Sequence, residues 1–275
     1  MNKRPEYIHE RMGGKIKPED INPYVLIPGS EKRVERFASI WDSSRKIAHH
    51  YDYLVYSGGY AGIPISACST GCGGRSTSIA VDEMAALGAN TFLRVGVTGA
   101  IQDGIQVGDL IIATGAVRMD KTSEHYVFIE YPAIASYEIV CALIAAAERR
   151  KYQYHVGIVA TAATFYAGEG VTCFGDYRHS GMDSIEEDLK AAKVLDWDNE
   201  TATIFTLCNL YGLRAGRINA VVDDPNTGQY NPIGEERAIQ TSLDAIRILS
   251  YWDKEKVRTK KKYIFPGFIK LKKGE

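Results

Sequence analysis

Apolar and polar positions follow two rhythms along this chain. Runs of consecutive apolar residues, the pattern of strands buried on both faces, occupy 24–29, 63–69, 91–100, 109–114, 156–163 and 217–222. A further strand is expected at 46–56, with the glycine-bearing stretch 57–62 as the turn after it. Between these runs the apolar residues recur every three or four positions, which predicts helices. Val34, Phe37, Ala38 and Trp41 share a face over 31–41, and Ile79, Ala80, Met84 and Leu87 recur over 76–88. Ile139, Val140, Leu143, Ile144 and Ala147 line 136–150, and Ile239, Leu243, Ile246 and Leu249 line 235–252. A helix over 201–211 stops at Gly212. Ser30 and Ser76 stand where side-chain caps are expected, and Gly88 supplies a left-handed end to its helix. Two stretches, 119–135 and 165–190, follow neither rhythm, and loops of that length tend to be functional.

Strands alternating with helices predict an α/β fold, a sandwich with a largely parallel central sheet. The run 63–69, the helix 76–88 and the run 91–100 form a βαβ unit with a right-handed crossover. Ligands of such sheets sit at the carboxyl ends of the strands. Arg94 lies inside the last of these runs, beside glycines 96 and 99. A charge in a buried strand needs a partner, either a structural carboxylate or a bound anion.

Composition narrows the classes. Lys and Arg total 33 against 34 Asp and Glu, so no global field invites nucleic acid. No apolar run reaches the length of a membrane span, and the N-terminus lacks the apolar core of a signal peptide, so a cytoplasmic location is expected. Cys68 and Cys72 form the only close cysteine pair, with no second pair nearby, so no metal site is expected and the five cysteines read as buried free thiols. One domain is expected over 1–252, with 1–24 as a polar, proline-punctuated arm that packs late or against a neighbour. Residues 253–275 are a lysine-rich extension around an aromatic patch; such a tail can bind nucleic acid or acidic lipid, and the reading preferred is a solvated extension whose patch packs on its own oligomer.

The two ends of the βαβ helix carry a family resemblance. Ser69-Thr-Gly-Cys-Gly-Gly-Arg-Ser-Thr-Ser-Ile-Ala-Val81, followed by Thr91-Phe-Leu-Arg-Val-Gly-Val-Thr-Gly-Ala-Ile-Gln102, resembles the uridine phosphorylase branch of the nucleoside phosphorylase superfamily. The likeness runs from about His9 to Trp252. It implies a single-domain three-layer α/β/α sandwich with a mixed central sheet. It also implies reversible phosphorolysis of a nucleoside in salvage, with inorganic phosphate as co-substrate and no cofactor. The implied assembly is a homo-hexamer, a trimer of dimers, with sites at subunit contacts.

The resemblance implies residue roles as well. Gly29, Arg33 and Arg94 match the phosphate site, with Val97 contributing its amide where relatives carry a hydroxyl. Taken alone, Arg33 reads as a surface helix arginine and Arg94 as half of a structural ion pair. Tyr51 stands where relatives lend an arginine from the neighbouring subunit, with Arg45 or a nearby histidine as the replacement. Glu200 matches the carboxylate that takes the ribose diol, beside Asn199 and the 5′-hydroxyl ligand His9. Its other reading is a helix N-terminal carboxylate. Thr98, Gly99 and Phe165 match the base pocket. Glu169 and Val171 replace the amide and arginine that read uracil, and Arg178 lies on a shorter loop from which it can swing in. Asp223 stands where purine nucleoside phosphorylases carry the acid that protonates N7, and equally begins an ordinary Asp-Pro turn. The readings are therefore a uridine-type phosphorylase, a purine (guanosine or inosine) phosphorylase, a nucleosidase, and a non-catalytic nucleoside-binding protein.

Overall fold

A computed structural model describes residues 16–223 and 230–265. In chain order the elements are β1 (Tyr24–Leu26), α1 (Glu31–Ile40), β2 (Ser43–His50), β3 (Tyr53–Tyr60), β4 (Ile63–Cys68), α2 (Gly74–Ala86), β5 (Thr91–Gly99) and β6 (Leu110–Met119). Then come β7 (Ala133–Ile134), α3 (Tyr137–Arg150), β8 (Tyr154–Ala162), α4 (Ile185–Ala191), β9 (Trp197–Asp198), α5 (Thr201–Leu210), β10 (Arg214–Asp223) and α6 (Glu235–Thr259). The strands form one mixed sheet in the order β2-β3-β4-β1-β5-β10-β6-β8-β9, with β7 added on β6. The centre, β4-β1-β5-β10, is parallel, and so is β6-β8-β9; the two halves meet antiparallel at β10 and β6. Helices α3 and α6 pack on each other over one face of the sheet, and α2 and α5 pair over the other.

One bridge decides where the site falls. Ala100, just past β5, pairs with Asp196, just before β9, and the Ile101 amide donates to the Leu195 carbonyl. The β5-to-β9 half of the sheet therefore curls back on itself. Residues 196–200 are carried onto the carboxyl end of β5.

The apolar pattern placed most elements within a few residues, and the exceptions have physical causes. The stretch 46–56 is two strands rather than one: β2 and β3 form a hairpin that turns at Tyr51, whose φ is 49°. The glycines read as a turn lie inside β3. A Cβ on Gly58 would stand 1.9 Å from the Ser43 carbonyl oxygen, so the glycine permits strand contact rather than a bend. Ser76 is inside α2 and does not cap it. The helix opens on Gly73, at φ 100°, and the Ser76 hydroxyl donates back to the Gly73 carbonyl. Ser30 precedes α1 but makes no side-chain cap. The stretch 165–190 contains the start of α4.

Helix α6 runs on to Thr259, past the change in composition at 253. Asp253 accepts from Arg214 Nη2 at 2.7 Å and from the Tyr24 hydroxyl at 2.6 Å, and Lys256 Nζ lies 2.6 Å from Glu138 Oε2. Those pairs hold the polar turns to the body of the fold. At the other end, Ile16 and Ile21 of the expected arm are buried in this chain's own core. Cys68 and Cys208 are buried as expected, but Cys72 and Cys141 are exposed.

Candidate active site

The site is built on two arginines that face the same way. Arg94 on β5 and Arg217 on β10 are register partners on adjacent parallel strands. Both are at least nine-tenths buried. Two guanidinium groups so placed require carboxylates, and the curled segment at β9 supplies them. Arg217 Nη2 lies 2.8 Å from Asp196 Oδ2, and Nη1 donates to Asp196 Oδ1 at 3.0 Å. Arg94 Nη2 donates to Glu200 Oε2. Asp198 lies between the two, 3.9 Å from Arg94 Nε and 3.8 Å from Arg217 Nε. It also accepts from the Thr161 hydroxyl at 2.8 Å and the Thr201 amide at 3.1 Å, which fixes the start of α5.

Glu200 is 2% exposed. Its Oε1 accepts from the Gly73 amide at 2.7 Å, so the left-handed glycine that opens α2 also presents an N–H to this carboxylate. Burial raises the Glu200 carboxyl above its usual range, with Arg94 opposing. Burial likewise raises Asp196, to about 6, against the pull of Arg217.

Arg94 is not fully spent by these partners. Its Nε and Nη1 are buried and find no hydrogen-bond acceptor among the described residues. A Cβ on Gly29 would stand 3.6 Å from Nη1. The unpartnered Nη1 therefore looks onto the turn after β1, a combination of guanidinium and backbone turn suited to an anion. Arg33, on the first turn of α1, is also buried. Its Nη1 donates to the Val95 carbonyl at 3.3 Å, next to Arg94, while Nε donates to Glu235 Oε1 at 2.7 Å. The expected surface-helix reading of Arg33 is set aside by its 8% exposure. Val97 is half-buried, and its carbonyl accepts from Asn219 Nδ2 at 3.1 Å.

The groups expected around sugar and base converge in part. Asn199 Nδ2 donates to Glu169 Oε1 at 3.2 Å and to the Ala162 carbonyl at 3.1 Å. Burial pushes the Glu169 carboxyl up to about 7; Asn199 lowers it, and the charges of Asp198, Glu200 and Asp223 add to the rise. Gly99 pairs with Asp223 across a bulge in β10, and a Cβ on it would stand 3.6 Å from Asp223 Oδ2. Thr98 is buried and its hydroxyl donates to the Trp197 carbonyl at 2.5 Å, which holds β9 against β5.

Other expectations change. Asp223 is exposed at the end of β10 rather than enclosed in a pocket. Phe165 is 55% exposed and stacks edge-on against Tyr166 with ring centroids 5.3 Å apart. Arg178 does not swing in. It donates to the Gly170 carbonyl at 2.8 Å, the Thr172 hydroxyl at 3.1 Å and the Met182 carbonyl at 3.3 Å, and pairs with Asp183. It clasps the loop that carries Glu169. Arg178→Ala should therefore raise the nucleoside KM and speed proteolysis within 165–184, with little change in the phosphate KM. Within this chain Arg45 pairs with Asp20 at 2.6 Å and His49 with Glu31 at 3.0 Å. His9 lies outside the described residues.

The sequence singles out neither Arg217 nor Asp196, and Cys72 only as one of a close cysteine pair read as buried thiols. Arg217 carried the same signal as Arg94, a charge in an apolar strand. Asp196 and Asp198 are two apart, on one face of an extended segment. Cys72 Sγ lies 3.7 Å from Asn199 Oδ1, and burial together with the Glu200 charge pushes its thiol up. Only its position in the glycine turn hinted at the site.

A buried arginine with an unspent donor, a glycine turn and an adjoining carboxylate thus meet at the carboxyl end of β5. The chain belongs to the Phosphorylase superfamily, whose profile matches residues 23–247. It is 47% identical over 251 residues to a uridine phosphorylase of Thermococcus kodakarensis, covering 91% of each chain. It is 40% identical over 226 residues to the uridine phosphorylase of Escherichia coli, covering 82% of this chain and 88% of that one. A guanosine phosphorylase of Halorubrum lacusprofundi is 34% identical over 248 residues, 85% of this chain and 97% of the relative.

Proposed function

We propose that this protein is a nucleoside phosphorylase of the uridine phosphorylase kind. It converts a ribo- or deoxyribonucleoside and inorganic phosphate into free base and pentose 1-phosphate. The observation that carries the reading is Arg94, whose buried Nη1 has no hydrogen-bond partner among the described residues and lies beside the Gly29 turn, while Nη2 donates to Glu200. A phosphate oxygen forms the bond to C1′ as the C1′–N bond breaks, and the electron pair leaves with the base. Arg94, Arg33 and the Gly29 turn hold the dianion. Glu200 accepts from the ribose hydroxyls, a pairing suited to a diol. Catalysis by this set is positioning and electrostatics, with no covalent intermediate on the protein.

Uridine is the proposed substrate, by likeness to the uridine phosphorylases. Glu169 supports it when protonated, since it then donates to a base carbonyl. A second reading, guanosine, is favoured by the same residue when ionised and by the guanosine phosphorylase relative. A panel of nucleosides assayed for base release with and without phosphate tests both. Phosphate-dependent release from uridine supports the first reading, and release from guanosine alone supports the second. Release without phosphate would make the protein a nucleosidase, and no release a binding protein. Val97→Thr should restore the hydroxyl that relatives present and lower the phosphate KM by about tenfold, the equivalent of one charge-assisted hydrogen bond.

A homo-oligomer, a trimer of dimers acting in cytoplasmic salvage, completes the proposal. An exposed apolar surface, where Phe128, Ile129, Ile134 and Ile158 stand beside a cleft of about 440 Å³, supports a subunit contact; the trimer-of-dimers order and the salvage role rest on the family resemblance alone. Among the described residues no helix is long and apolar enough to cross a membrane.

A further inference from the structure

Glu235 has no part in the chemistry above, yet it holds one of the two proposed phosphate arginines. Its Oε1 lies 2.7 Å from Arg33 Nε and 2.6 Å from Nη2, so one carboxylate oxygen bridges two nitrogens along one edge of the guanidinium. Glu235 is the first residue of α6, where the helix dipole favours a negative charge. The partners are unequal. The Arg33 side chain is 8% exposed and that of Glu235 30%, so the carboxylate is the wetter and more easily displaced group. Arg33 does not need Glu235 to stay in place: its Nη1 is held by the Val95 carbonyl, and its stem is buried in α1. The neighbouring pair, Arg36 with Glu236, is exposed and independent, with Nη2 and Oε2 3.1 Å apart.

We propose that Glu235 is a built-in competitor for the phosphate site: its carboxylate occupies Arg33 in the empty protein and must yield that guanidinium when a phosphate dianion binds. The inference rests on the phosphorylase reading for the identity of the anion. Glu235 therefore sets phosphate affinity through Arg33 and leaves the nucleoside half of the site untouched. A phosphate dianion, carrying two charges and a tetrahedral set of acceptors, displaces a single, partly solvated carboxylate. The residue weakens phosphate binding by the worth of one partly exposed ion pair.

The test is Glu235→Gln, which keeps size and a hydrogen-bond acceptor while removing the charge, with Glu235→Ala as a second variant. Calorimetric titration with inorganic phosphate, without nucleoside, should show binding tightened by about two- to fivefold. The phosphate KM should fall by the same factor, with kcat and the nucleoside KM within about twofold of wild type. In an Arg33→Met background the substitution should change nothing, because the competitor then has nothing to hold. Phosphate binding that is unchanged or weaker in both variants overturns the proposal, as does a gain that persists in the Arg33→Met background. Absence of phosphate-dependent base release, with phosphate still binding more tightly to the variants, would count against the phosphorylase reading and leave the competition standing. Absence of phosphate binding in wild type and variants alike overturns both.

Discussion

Arg94→Ala should abolish phosphorolysis and also destabilise the protein. Two separate consequences follow from one side chain. Loss of the donors that face the Gly29 turn removes the main charge at the proposed phosphate seat, and removal of such a donor costs about 10²–10³-fold in turnover. Loss of the guanidinium also leaves Glu200 buried beside Asp198 without its cation. Breaking a buried pair by removing one partner costs about 3–5 kcal/mol. The two effects separate in a double variant. Arg94→Ala with Glu200→Gln should recover much of the melting temperature and none of the activity. Wild-type turnover and phosphate KM in Arg94→Ala would sink the assignment. A melting temperature unchanged from wild type would show that the pair with Glu200 contributes nothing to the fold.

The second large effect is a pH dependence whose sign names the base. Glu169 titrates near 7, raised chiefly by burial. Below that pH the carboxyl is protonated and donates to a uracil carbonyl; above it, the ionised group faces that carbonyl with nothing to donate. For uridine, kcat/KM should therefore fall as pH rises through about 7, and Glu169→Gln, a donor at every pH, should remove the fall. For guanosine the ionised form accepts from the ring N–H and amino group, so kcat/KM should rise through the same range and Glu169→Gln should be slow throughout. A flat profile for both substrates in the wild type would remove Glu169 from the base site. Stability carries the same signature. A carboxyl whose folded value lies above the usual 4.5 stabilises the fold fully below about 4.5 and loses that contribution as pH rises through about 7. Glu169→Gln should accordingly melt higher than wild type at pH 8, with no such advantage at pH 4.

Much of this site was legible before any coordinates. Arg94 stood out because a charge in a run of buried strand residues demands a partner. The helix–strand alternation fixed the sheet end at which that partner would sit. What sequence could not give was the identity of the partners that arrive from elsewhere. The Asp196–Arg217 pair forms only because the bridge at Ala100 curls the sheet, and no local pattern encodes that closure. The hairpin at Tyr51 was missed because a tyrosine at positive φ carries no turn signal, whereas the glycines of β3 carry a false one. Arg178 was placed toward the base from loop length alone. Its actual partners are carbonyls of its own loop, which any sequence offers and none advertises. The end of α6 was set too early because its last turns are polar on the outside and tethered by ion pairs rather than by an apolar stripe.

The contact between Arg94 and Glu200 has a thermodynamic consequence for the proposed site. In the empty protein the group assigned to phosphate and the group assigned to ribose neutralise each other. Under that assignment, ribose hydroxyls that draw Glu200 away leave Arg94 Nη2 without its acceptor and available to the anion, so a bound nucleoside is expected to tighten phosphate binding. Linkage then requires phosphate to tighten nucleoside binding by the same factor, and calorimetric titrations in the two orders of addition check it.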